Sequence, residues 1–94
     1  MKNTIHNLTN HRNSVYCLCV LNDGRLVSGS YDNSIIIYNK ITYQPDLIIK
    51  EHNGCLCCII QLSSGLLASS SCDNTIKLQY FLKCPNFWKN FLDW

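Results

Sequence analysis

The chain has 94 residues, 47% of them hydrophobic, and carries a net charge of +2. That length bounds one small domain that buries a modest share of its surface and is marginal unless well packed or assembled. Lys and Arg are scattered along the sequence, which argues against the basic patch of a nucleic-acid binder. No apolar run approaches the ~20 residues that span a bilayer, so no membrane partner is expected.

The N-terminal stretch MKNTIHNLTNHRNS lacks the apolar core of a secretory signal, which places the chain inside the cell, in the cytoplasm. Seven cysteines, an odd number, argue against a disulfide framework in that setting. Buried filler is the default role for such thiols.

Taken in chain order, Thr4 to Leu8 reads as a leading outer strand within residues 1–10. Val15 to Val20 is apolar, rich in β-favouring residues and too short for a typical helix. Asn22-Asp23-Gly24 follows, Asp-Gly supplying the positive φ values of a tight hairpin. Leu26 to Ser30 is the returning strand. Tyr31-Asp32-Asn33 is a second turn, because Asp and Asn bond their own backbone and tolerate left-handed conformations. Ser34 to Asn39 is a third strand, and its three consecutive isoleucines predict burial on both faces. Gln44-Pro45-Asp46 marks a turn, and Leu47 to Ile49 a short fourth strand.

The same reading repeats over residues 52–80. His11 is matched by His52, Cys17 by Cys58, Gly24 by Gly65, Leu26 by Leu67 and Asp32-Asn33 by Asp73-Asn74, each pair 41 residues apart. Ser64-Gly65 then makes the first turn of the second copy and Asp73-Asn74 the second. A gapless internal period of this length marks an array of one supersecondary unit. The units run over 11–51 and 52–81. Residues 82–94 leave the pattern, and Phe87, Trp88 and Phe91 suit an outer strand, an irregular tail or a helix after Pro85.

Both copies carry His, an apolar residue four positions on (Val15, Leu56), Gly, then Leu-x-Ser-x-Ser-x-Asp-x-x-Ile. In this the chain resembles the WD-repeat family of β-propellers, whose period is about 40–45 residues with four strands per blade. The resemblance implies an all-β fold: two four-stranded antiparallel blades of a propeller, with an incomplete ring. It also implies a hydrogen-bonded tetrad locking each blade. Carried over, this is His11, Ser28 (or Ser30), Asp32 and Tyr38 in the first unit, and His52, Ser69 (or Ser71), Asp73 and Gln79 in the second.

The family's Trp-Asp is replaced by Tyr38-Asn39 and by Gln79-Tyr80, and Gln79 lacks an aromatic plate to set beside the His. Two units are fewer than the three that repeat arrays need for stability. A truncated or frame-shifted copy of a longer gene would read this way.

The function implied is a non-catalytic scaffold that binds a protein or peptide, as a fragment or partial propeller. Self-assembly of several chains into one ring is the alternative. No cofactor or metal is expected. Cys17-Leu18-Cys19 and Cys55-Leu56-Cys57-Cys58 invite a metal-binding reading, but their spacing differs from a zinc knuckle, and strand placement makes them filler between blades. His11, Ser28 and Asp32 resemble a catalytic triad, yet the trio recurs in the second unit, as a structural repeat predicts and a single active site does not. His6 reads as a surface residue, and Arg12, Arg25, Lys40 and Lys50 as loop charges.

Overall fold

The computed structural model describes residues 5–80. Seven strands follow one another: β1 Val15–Val20, β2 Leu26–Ser30, β3 Ile35–Tyr38, β4 Pro45–Ile49, β5 Leu56–Gln61, β6 Leu67–Ser71 and β7 Ile76–Gln79. They form two antiparallel meanders, a four-stranded sheet β1-β2-β3-β4 and a three-stranded sheet β5-β6-β7, which leave the ring open. Any fourth strand of the second sheet, and with it Phe87, Trp88 and Phe91, lies outside the described residues. Among those described there is no helix.

Hydrogen-bond demand explains the meander, because each strand offers a full row of N–H and C=O groups to its neighbour. The two first-turn hairpins have the same construction. Leu21 N–H bonds Arg25 O at 2.8 Å and Gly24 N–H bonds Leu21 O at 2.9 Å. Leu62, Leu66 and Gly65 repeat this at 2.8 Å and 2.8 Å. Each loop thus holds three residues and ends in a left-handed glycine, Gly24 (φ 94°) or Gly65 (φ 96°). The positive φ values expected of both Asp23 and Gly24 are therefore corrected: Asp23 keeps a negative φ and only the glycine is left-handed. At the second turns, Asn33 (φ 72°) and Asn74 (φ 70°) take the left-handed position, which Asn adopts more readily than most residues.

Two further expectations change. The turn read at Gln44-Pro45-Asp46 lies earlier, over 39–44, with Tyr43 left-handed (φ 59°). Asn39 N–H bonds Gln44 O at 2.8 Å, and the Asn39 side chain accepts from Ile41 N–H and Thr42 N–H. Pro45 opens β4, a strand's first residue being a position where its missing N–H is tolerated. Residues 5–8 of the expected leading strand form no strand.

The core lies between the sheets. Val27, Ile35 and Ile37 of the first sheet meet Leu56, Ile59 and Leu67 of the second, with Cys17, Cys19, Leu47 and Ile49 packed around them. Ile35, Ile36 and Ile37 are each 1% exposed or less, in line with burial on both faces. Gly29 sits at the contact, where a Cβ would come within 2.8 Å of Leu56 Cβ and of Ile59 Cδ1. Asn22 N–H also donates to Gln61 Oε1 across the sheets at 2.7 Å.

Arg25, read as a loop charge, is instead 5% exposed. Its Nε bonds Asp23 Oδ2 at 3.0 Å and its guanidinium lies 4.0 Å from Asp46 Oδ2, tying the first turn to the start of β4. The reason is geometric: position 25 re-enters the sheet directly after the left-handed glycine, so its side chain folds over the blade.

Candidate functional site: paired polar networks at the blade rims

In each sheet the His and the turn Asp stand at one end and reach a serine in the middle of the central strand, while Tyr38 and Gln79 lie at the far end of their strands. In the first, His11 Nδ1 donates to Asp32 Oδ2 at 3.0 Å and His11 Nε2 lies 2.6 Å from Ser28 Oγ. Tyr38 OH is 3.5 Å from Ser28 Oγ, a loose closure. In the second, His52 Nδ1 meets Asp73 Oδ2 at 2.9 Å and His52 Nε2 meets Ser69 Oγ at 2.9 Å. Among the described residues no hydrogen bond joins Gln79 to Ser69.

The alternative hydroxyls, Ser30 and Ser71, do other work. Ser30 Oγ donates to Ser14 O at 2.9 Å, and Ser30 and Ser71 each accept from the N–H of the turn Asp. Outside the expected set, Ser34 and Thr75 donate their hydroxyls to Asp32 and Asp73 and reach His11 and His52 Nδ1 at 3.2 and 3.3 Å. Their signal in the sequence is a hydroxyl residue two positions after each turn Asp. Arg12 N–H and Asn53 N–H complete the shells of the two carboxylates, at 2.8 and 3.0 Å.

Electrostatics follow from that geometry. Burial opposes the charge on Asp32, but donors from Ser34, Arg12 and His11 outweigh it and hold its carboxyl well below the usual carboxylate range. For Asp73 the Thr75 hydroxyl leads, burial works against it, and the Asn53 N–H and His52 add to the same lowering. Each Asp is therefore a fixed anion that orients its His, which in turn orients a hydroxyl.

The order of bonds is that of a hydrolytic triad, but the hydroxyls are sealed. Ser28 is 3% exposed and Ser69 1%, so both hydroxyls are turned into the network and away from solvent. The arrangement orients these side chains and cross-links loops to strands.

The cysteines divide. Cys17 and Cys19 are half-buried at the contact between the sheets. Burial leads in raising both thiols, Cys17 up to about 11, so they stay protonated. Cys57, Cys58 and Cys72 are exposed, which corrects their reading as filler. A bulge between Leu56 and Cys58 interrupts the alternation that would have turned Cys57 and Cys58 to opposite faces.

His6, exposed, lies against Tyr43 with ring centroids 4.5 Å apart. Arg12, Lys40 and Lys50 are exposed, and Lys40 Nζ donates to Asp23 O at 3.0 Å.

Comparison with known proteins agrees with this architecture. The family model described as "WD domain, G-beta repeat" (WD40) matches residues 2–39 and again 43–78. No curated protein matched the sequence. Among solved structures, the WD40 beta propeller domain of Doa1 superposes with a TM-score of 0.79 at 22% identity, over 86% of this chain and 27% of that one. The computationally designed Ika4 protein superposes with a TM-score of 0.71, also at 22% identity, over 85% of this chain and 49% of that one. The chain thus spans about a quarter and about half of those two structures, and identities this low speak for the fold alone. With both repeats matched by the family model, the chain belongs to the WD40 family of β-propeller repeats.

Proposed function

We propose that the chain is a non-catalytic interaction module: two propeller blades that hold rim loops rigid so that they grip a protein partner. The observation that carries this reading is the duplicated His–Asp–Ser network with its hydroxyls buried, which stiffens a loop in each blade and offers no reactive group. WD40 propellers generally serve as protein-interaction scaffolds and are generally non-catalytic. Rigid presentation lowers the ordering cost of binding, and that is what a scaffold contributes to affinity.

The surface best suited to a partner is the cleft of about 220 Å³ lined by Asn10, Arg12, Asp32, Ser34, Ile36 and Lys50, with Ile48 also on its wall. Arg12 and Lys50 are its exposed cations, and their side chains bond no described residue. Asp32 already has its charge satisfied by His11, Ser34 and Arg12 N–H. An acidic peptide segment is the chemistry that fits. The cytoplasm is the proposed setting. The test is a peptide array probed with the folded chain. Acidic peptides that bind, and are lost on Arg12→Ala with Lys50→Ala, support the reading. No binder from a chain with a native β spectrum, or ester hydrolysis abolished by Ser28→Ala, overturns it.

A second reading, self-association of chains into a multi-chain propeller, is favoured by the two outer faces. Leu18 and Val20 (63% and 66% exposed) stand on the first sheet where Ile59 and Gln61 stand on the second. Ile60, Ile76 and Leu78 (50%, 73% and 58% exposed) stand where Cys19, Ile35 and Ile37 do. One face therefore has the position of the surface that the other sheet already packs against, so the contact can repeat head to tail with a second copy. Light scattering that gives a discrete oligomer, reduced to monomer by Ile76→Lys, supports it. A folded monomer at every concentration rules it out.

A further inference from the structure

We propose that Cys55, Cys57 and Cys72 form a three-thiolate site for a soft monovalent cation, Cu(I), on the rim of the second blade. Their sulfurs all lie within 4.8 Å of one another, and Cys57 Sγ is 3.6 Å from Cys72 Sγ. Three sulfurs bound to one ion at a metal–sulfur distance of about 2.3 Å must stand roughly 3.8–4.0 Å apart. Only a small adjustment separates the trio from that spacing, and Cys57 and Cys72, being exposed, are free to make it.

The fold brings these positions together whatever residues occupy them. Cys72 N–H bonds Cys55 O at 3.0 Å, closing the ends of β5 and β6, as Tyr31 N–H bonds Ser14 O at 2.9 Å in the first blade. The equivalent first-blade positions, 41 residues earlier, are Ser14, Tyr16 and Tyr31. There the two tyrosine rings make the contact, with centroids 4.8 Å apart. In the second blade all three positions carry thiols, so a contact between rings is replaced by a ligand set.

Chemistry selects the metal. Among the described residues the group offers three soft ligands and no fourth. A structural zinc site needs four, whereas soft thiolate sets suit Cu(I). As free thiols, the three crowd within 4.8 Å of one another. A bound cation removes that conflict. Each thiol gives its proton to solvent as its metal–sulfur bond forms, and the copper stays Cu(I) throughout. Bound there, the ion would cross-link Cys55 and Cys72 at the base of the Asp73-Asn74 turn and stiffen the rim beside His52.

The test is anaerobic titration of the fully reduced chain with Cu(I) held by a chromophoric chelator. The expected result is one equivalent withdrawn per chain. Cys57→Ser and Cys72→Ser should each weaken binding by at least ~100-fold, the upper end of what loss of a mere outer-shell partner costs. Cys58→Ser should bind as the parent does. A gain-of-site variant, Ser14→Cys with Tyr16→Cys and Tyr31→Cys, should withdraw a second equivalent. A chelator that keeps all its copper overturns the proposal. So does binding unchanged in the Cys57→Ser, Cys72→Ser double variant, or uptake of zinc with none of Cu(I).

Discussion

Gly29 of β2 faces Ile59 of β5 so closely that a Cβ on the glycine would stand 2.8 Å from Ile59 Cδ1. The two blades meet at a point where only backbone fits. The equivalent position in the second blade, 41 residues on, is Ser70, which lines the outer apolar cleft with Cys58, Ile60 and Ile76. The side chain at this position therefore tells an inner blade contact from an outer one.

Gly29→Val should accordingly destabilise the chain by about 1–3 kcal/mol, the ordinary cost of overpacking. Leu56 Cβ, also 2.8 Å away, is held on the backbone and cannot swing aside. Ser70→Val, on the open cleft, should change stability little. Denaturant unfolding of the two variants side by side checks this, and equal losses would be the contrary result.

The rim carboxylates set a pH dependence. Asp32 and Asp73 have folded-state values held below the ordinary 3.8. A depressed acid contributes stability that is fully present above its unfolded value and is lost as pH falls toward and through its folded one. The melting temperature should therefore hold steady from pH 7 to about 5 and then decline progressively below 4. Asp32→Asn and Asp73→Asn should start lower at pH 7 and lose less on acidification. A melting temperature that rises on acidification below pH 4 would contradict this.

His52 is 5% exposed and is the hinge of the second network. His52→Ala leaves Ser69 and Asp73 without their shared partner, and should cost about 1–3 kcal/mol for buried polar groups left unmade. Thr75→Ala, which removes a donor to the same carboxylate from an exposed position, should cost less. Urea midpoints of both variants decide the order.

Gln79 occupies the position that Tyr38 holds in the first blade, and no hydrogen bond joins it to Ser69. Gln79→Tyr should supply the missing hydroxyl and an apolar ring, a gain of about 0.5–1.5 kcal/mol, the net worth of one hydrogen bond. The readout is the thermal midpoint, which should rise. Tyr38→Gln should lower it, and more steeply, because Tyr38 is already 2% exposed.

Arg25→Met keeps the apolar length of the side chain but removes the guanidinium between Asp23 and Asp46. A loss of about 1.5–3 kcal/mol is expected for hydrogen bonds to charged groups. Salt should change the parent only slightly, because a side chain this buried is poorly screened. Melting curves at low and high salt check both statements.

By itself the sequence determined the repeat and most of its strands. A period of 41, apolar runs of strand length and turn residues such as Asn33, Gly24 and Gly65 are local properties, and local backbone preferences do not depend on what packs nearby. The resemblance to the WD-repeat family implied His11 with Asp32 and His52 with Asp73 as partners. Tertiary structure alone decided the rest. Arg25 reads as a surface charge until the turn folds it over the blade, and Pro45 reads as a turn until Asn39 and Tyr43 complete that turn earlier. Residues 5–8, read as a leading strand, pair with no sheet. The thiols of Cys55, Cys57 and Cys72 meet because antiparallel pairing closes the ends of β5 and β6 and a bulge displaces Cys57. Such a meeting depends on register and on long-range hydrogen bonds, which residue types at a given spacing do not encode.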